Sequence, residues 1–151
     1  MCPFSFIGIF CEDVRDEVAG THTIVGVLPN NVNIGGLPGM IPKLGIYIRI
    51  QLGQEANPKS LKASIKVPGG SIFEIANFAD SFIAKAKEES KANGTTFAGL
   101  IAKGIFSPLP ITIAGTIEAI VEVDGTEYIC GVLNLIPPET TAASISSPQP
   151  A

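Results

Sequence analysis

The residues best equipped for chemistry crowd together early in the chain, where Cys11-Glu12-Asp13-Val14-Arg15-Asp16-Glu17 sets five charged side chains in a segment that otherwise reads as a strand. In an extended strand Asp13, Arg15 and Glu17 share one face, with neighbours about 6 to 7 Å apart, while Glu12, Val14 and Asp16 take the other. Carboxylates so placed can gather a hard cation or a cationic substrate. They equally make an ion-paired strand in which Arg15 neutralises Asp13 and Glu17 and guards an edge against foreign strands, and this second reading is the expected one. His22, the single histidine, would have to stand near Asp13 or Glu17 to act as a general base. Its place in a turn instead predicts a solvated surface residue. A thiol nucleophile would need Cys11 or Cys130 to meet His22. Cys11 follows a run of large apolar residues and Cys130 stands within a strand, so both are expected to be buried, inert thiols.

Other motifs carry less. Cys2, Cys11 and Cys130 are odd in number and contain no Cys-x-x-Cys pair, which suggests neither a disulfide framework nor a zinc knuckle. Gly94 and Gly99 have the spacing of a phosphate-binding loop, but Leu100 stands where that loop needs lysine. Gly35-Gly36-Leu37-Pro38-Gly39 has no helix start behind it to hold an anion and reads as a flexible connection. Phe78, Phe82 and Ile83 form an apolar helix face that can bind a membrane or a partner helix, and that is expected to pack over an open end of the fold instead. No catalytic residue, metal or cofactor is expected.

The elements that must position these residues are mainly strands. Phe4 to Val18 and Thr23 to Leu28 flank an Ala19-Gly20-Thr21-His22 turn as a hairpin, and Pro29 to Pro42 is dense enough in Asn, Gly and Pro to be an exposed loop. Leu44, Ile46, Ile48, Ile50 and Leu52 alternate with Gly45, Tyr47, Arg49 and Gln51, and Leu61, Ala63, Ile65 and Val67 alternate with Lys62, Ser64 and Lys66. A turn at Pro68-Gly69-Gly70-Ser71 leads into a strand over 72–75. The period then changes to 3.6, which predicts a helix over 78–92 ended by Gly94, and a weaker pattern over 97–105 predicts a second short helix. Residues 111–123 and 126–136 flank Asp124-Gly125 as a long hairpin. The expected fold is mainly β, an antiparallel β-sandwich of immunoglobulin-like or similar type with one or two short helices inserted between strands. It comprises one domain over residues 1–136, with a helical insertion at about 77–105 and a flexible tail over 137–151.

With 151 residues, 46% of them hydrophobic and only 16% charged, the chain has a real core and few charges to cover its surface. A second copy or a protein partner is therefore expected to cover some apolar area. A net charge of -4, with Lys85, Lys87 and Lys91 interleaved by Glu88 and Glu89, argues against nucleic acid. No run of apolar residues is long enough to span a bilayer, and the apolar start runs into Glu12 and Asp13 without a basic leader, so a cytoplasmic protein is expected.

The run from Cys11 to Gly20, with the Pro42-Lys43-Leu44 strand start and the Asp124-Gly125 turn, resembles a family of uncharacterised short bacterial and phage or prophage proteins. That family is marked by an N-terminal Cys-x-Asp-(Ile/Val)-Arg-x-Glu-x-x-Gly pattern. Thr21-His22 stands where the family pattern has a lysine, and 78–105 reads as longer and more helical than the family's connection. The resemblance implies a phage or prophage setting and no reaction. The expected function is a non-enzymatic interaction or assembly module with Asp13, Arg15, Glu17, His22, Phe78 and Phe82 as candidate binding residues. The alternatives are a small-molecule or host-interference protein that sequesters a ligand between helix and sheet, and a hydrolase using Asp13, Glu17 and His22.

Overall fold

In the computed structural model, which describes residues 3–138, the elements run β1 (Phe4–Asp16), β2 (His22–Val27), β3 (Asn31–Asn33), β4 (Gly39–Ile41), β5 (Leu44–Gly53), β6 (Leu61–Lys66), β7 (Ile72–Phe78), α1 (Asp80–Ala92), β8 (Phe97–Phe106), β9 (Leu109–Ile111), β10 (Gly115–Val123) and β11 (Thr126–Ile136). They build a four-stranded sheet ordered β2-β1-β5-β8, a five-stranded sheet ordered β3-β11-β10-β6-β7, and a two-stranded pair of β4 and β9. The protein is mainly β and sandwich-like.

Strict alternation decides the centre. Leu44, Ile46, Ile48, Ile50 and Leu52 of β5 are fully buried, and across from them Leu61, Ala63 and Ile65 of β6 and Ile117, Ala119 and Val121 of β10 close the core from the second sheet. Branched aliphatics on a two-residue period suit such a layer, because each fills a pleat on one face while polar neighbours face water. Asp124 at φ 48° and Gly125 at φ 87° form the tight turn joining β10 to β11. The Asp124 carboxylate also accepts the Lys59 and Ser60 amides at 2.8 Å each, so the turn tethers the loop that leads into β6.

The segment over 97–106 is a strand, not the second helix that its spacing suggests. Ala98, Leu100 and Ala102 face inward while Gly99, Ile101, Lys103 and Ile105 face outward, and β8 pairs with β5 in unbroken register from Phe97 to Phe106. Apolar residues on both faces blur the period, and Gly99 and Gly104 weaken a helix, so the open edge of β5 decides the outcome. The helical insertion is accordingly confined to α1. Asn93 and Gly94, at φ 69°, close its last turn. Ser90 pins α1 in place: its hydroxyl meets Gln54 Nε2 at 2.9 Å, Thr95 Oγ1 at 2.6 Å and the Phe97 carbonyl at 3.0 Å.

The loop over 29–42 is more ordered than its composition suggests. Ile34 and Ile41 are buried, β4 pairs with β9, and β3 adds to β11 in parallel, an exception to the otherwise antiparallel pairing. The tail expected over 137–151 lies, beyond Pro138, outside the described residues.

The sandwich is closed along one side by β1 and β11, where Phe4, Phe6 and Tyr128 form a ring cluster with centroids 5.4 to 6.2 Å apart. There Gly8 and Gly131 bring the two backbones together: a Cβ at Gly131 would lie 2.8 Å from the Gly8 carbonyl oxygen. Along the other side Phe73 of β7 meets Phe106 of β8 at 5.9 Å.

Candidate functional site

Residues 4–11 of β1 pair with β5, whereas residues 11–16 pair with β2. The second half of the hairpin does not simply continue past the sheet. Asp16 is bonded by Lys103 of β8, and the His22 ring lies 5.7 Å from that of Tyr47 on β5. β8 lies on the far side of β5 from β1, so the hairpin must curl back across the outer face of the four-stranded sheet. Phe10 and Cys11, adjacent yet both buried, mark where the strand changes course. Opposite them Gly26 takes φ 65° with the Glu12 side chain lying against its bare Cα, a conformation and a closeness that only glycine admits.

The charged run holds this fold-back. Asp13 Oδ1 lies 3.3 Å from Lys43 Nζ, Asp13 Oδ2 lies 3.3 Å from Arg15 Nε, and the Val14 amide donates to Oδ1 at 3.0 Å. Lys43, assisted by Arg15, holds the Asp13 carboxyl below the usual carboxylate range. Asp16 takes Lys103 on the same oxygen that lies 3.4 Å from His22 Nε2, and Lys103 lowers its pKa likewise. Glu17 accepts a hydrogen bond from the Thr23 hydroxyl at 3.0 Å rather than pairing with Arg15.

The sequence candidates are therefore separated in part. Asp13 and Arg15 meet, as their shared face requires, but Glu17 and His22 each find other partners. His22 opens β2, and its side chain is only 22% exposed, so it is not the solvated turn residue expected. Cys11 is buried, which raises its pKa; burial pushes the half-buried Cys130 thiol up to about 11, and it donates to the Ala119 carbonyl at 3.5 Å. Phe78 stacks on Phe82 at 5.9 Å, but Ile83 is what α1 buries, and Phe82 stays exposed. The space between α1 and β8, lined by Phe82, Lys85, Ala86, Glu89, Gly99 and Leu100, is only about 180 Å³.

Under the curled hairpin lies a larger cleft of about 360 Å³, lined by Gly20, Thr21, His22, Tyr47, Arg49, Gly99, Leu100 and Ile101. Sequence reading missed Tyr47, Arg49, Lys43 and Lys103. The alternation of β5 puts Tyr47 and Arg49 on its outer face, but nothing local announces that a hairpin returns to cover them. Among the described residues there is no group of three or more His, Cys, Asp or Glu side chains placed to hold a metal ion. No helix there is long and apolar enough to cross a membrane.

Fold and site together define a mainly β, sandwich-like protein in which an ion-paired hairpin is clamped over one sheet. Residues 7–130 match a family of unknown function, DUF6941, and the chain belongs to that family. The matched span takes in the Cys11 to Gly20 run and the Asp124-Gly125 turn. Comparison with curated proteins gives no match.

Proposed function

We propose that the chain is a non-enzymatic interaction module that assembles with a second copy of itself through the outer face of β11. The observation that carries this reading is a set of exposed apolar residues on one face: Ile129 is 58% exposed, Val132 follows it, and Ile136 stands beyond Asn134. A chain with so few charges gains by covering such a set. On the neighbouring strands Glu118 stands opposite Lys66 and Glu122 opposite Lys62, so a two-fold related copy meets a surface of alternating sign rather than like charge.

The residues with chemical potential support the same reading. Asp13 and Asp16 are engaged with cations from outside their own hairpin, and burial raises the pKa values of the Cys11 and Cys130 thiols. The phage or prophage setting rests on the family resemblance. A cytoplasmic location fits the free thiols of Cys11 and Cys130. Light scattering after size exclusion at micromolar concentration should give a dimer that Ile129→Lys dissociates. A clean monomer for the unsubstituted chain would refute the proposal.

A further inference from the structure

Arg49 is an exposed cation on the outer face of β5, and its sheet neighbours include no carboxylate. Its cross-strand neighbours on the outer face are Ile7 of β1 and Ile101 of β8, and its neighbours along β5 are Tyr47 and Gln51. The next ring on that face is Ser5, Ile9, Gly99 and Lys103, again without a carboxylate. In a chain with 14 acidic residues and 10 basic ones, this patch is locally reversed in sign. Of the hairpin carboxylates, Asp16 is already shared by Lys103 and His22, and Glu17 accepts from the Thr23 hydroxyl. Among the described residues no carboxylate pairs with Arg49 within ion-pair distance.

The surroundings of Arg49 are concave, with polar and apolar groups in about equal share. The His22 and Tyr47 rings meet at 59° and form a corner, Ile101 flanks it, and Gly99 leaves the floor open, with nothing within 4 Å of where a Cβ would stand. A volume of about 360 Å³ lies at the small end of ligand sites, which combine apolar walls with a few fixed polar groups. A guanidinium presents a planar fork that takes a carboxylate or a phosphate in two parallel hydrogen bonds, and the rings beside it favour an anion that carries a flat apolar body.

We propose that this cleft binds a small organic carboxylate with a flat apolar body, the carboxylate on Arg49 and the body against Tyr47, His22 and Ile101. The site is separate from the β11 face, so its test stands apart from that of self-association. The full chain is titrated with benzoate, its neutral isostere benzamide, and inorganic phosphate, followed by amide chemical shifts.

Benzoate should give saturable shifts at His22, Arg49 and Gly99 with a dissociation constant of order millimolar, the usual range for so few atoms. Arg49→Gln should weaken it about tenfold or more, the value of a charge-assisted hydrogen bond. Arg49 is exposed, so this change leaves the core untouched. Gly99→Val fills the floor while keeping the charge, and should also abolish binding. Absence of saturable shifts, undiminished binding in either variant, equal binding of benzamide, or preference for phosphate would each overturn the proposal.

Discussion

Substituting Gly131 by alanine tests whether the two sheets truly meet backbone to backbone. The new Cβ would stand 2.8 Å from the Gly8 oxygen, 3.3 Å from its carbonyl carbon and 3.5 Å from its Cα. All three are main-chain atoms, so no rotamer change relieves the clash. Ordinary contacts of this kind fall at about 3.5 to 4.0 Å, so the strands must part by several tenths of an ångström or more. The approach is as close from the other strand, since at Gly8 a Cβ would meet Cys130 Sγ at 3.0 Å and the Cys130 carbonyl oxygen at 3.2 Å. Overpacking of this kind costs about 1 to 3 kcal/mol. For a chain of this length that corresponds to a fall in Tm of roughly 2 to 12 °C, read by circular dichroism on heating and checked by urea unfolding. Gly35→Ala, with nothing within 4 Å of its Cβ, is the matched control and should leave Tm unchanged. A Gly131→Ala protein whose Tm matches that control to within about 1 °C would refute the close approach of β1 and β11.

Ser90→Ala removes the hydroxyl joining α1 to Gln54, Thr95 and the Phe97 carbonyl. It should cost about 1 to 3 kcal/mol in urea unfolding, because the partners left behind are part-buried. Asp124→Ala should cost a similar amount, about 1 to 3 kcal/mol, by freeing the Lys59 and Ser60 amides and placing alanine at positive φ, while Asp124→Asn should cost less. The folded pKa values of Asp13 and Asp16 lie below their ordinary value of 3.8, so their support for the hairpin is fully present above that pH and is lost as pH falls through the folded values. Chemical shifts of β2 followed below pH 4 should therefore move before those of β5, and simultaneous movement would contradict the clamp. At pH 8, peptide-resolved alkylation of the native chain should leave Cys11 and Cys130 unmodified on the timescale of a free thiol, since burial raises both pKa values.

The strands most legible from sequence were those with one clean face. β5 and β6 declare themselves because every second residue is aliphatic and the rest are not, and the Asp124-Gly125 turn does so because few dipeptides adopt positive φ so readily. β8 reads as a helix in sequence because Phe97, Leu100, Ile101 and Ile105 fall near a helical period, while its real partner, the edge of β5, lies some fifty residues away. β3 and β4 are too short for any pattern to show, and their pairing depends on β11 and β9 being already in place. For the site, the pairing of Arg15 with Asp13 followed from their shared face. The partnership of Asp13 with Lys43 and of Asp16 with Lys103 did not, since it depends on a bend near Gly26 whose direction is a tertiary matter. The same bend hid the cleft that Arg49 lines, since in sequence Arg49 is only a polar residue on an alternating strand.

That bend also divides a single strand into two regimes of stability. Residues 4–11 of β1 are laced into β5 on one side and pressed against β11 on the other, whereas residues 11–16 hold only β2 and the contacts beneath it. The hairpin is thus expected to open as a unit before the core does. Amides of 13–16 and 22–27 should exchange with solvent by partial opening, and those of 5–10 only when the whole molecule unfolds. One continuous strand would then show two protection levels with the boundary at Cys11.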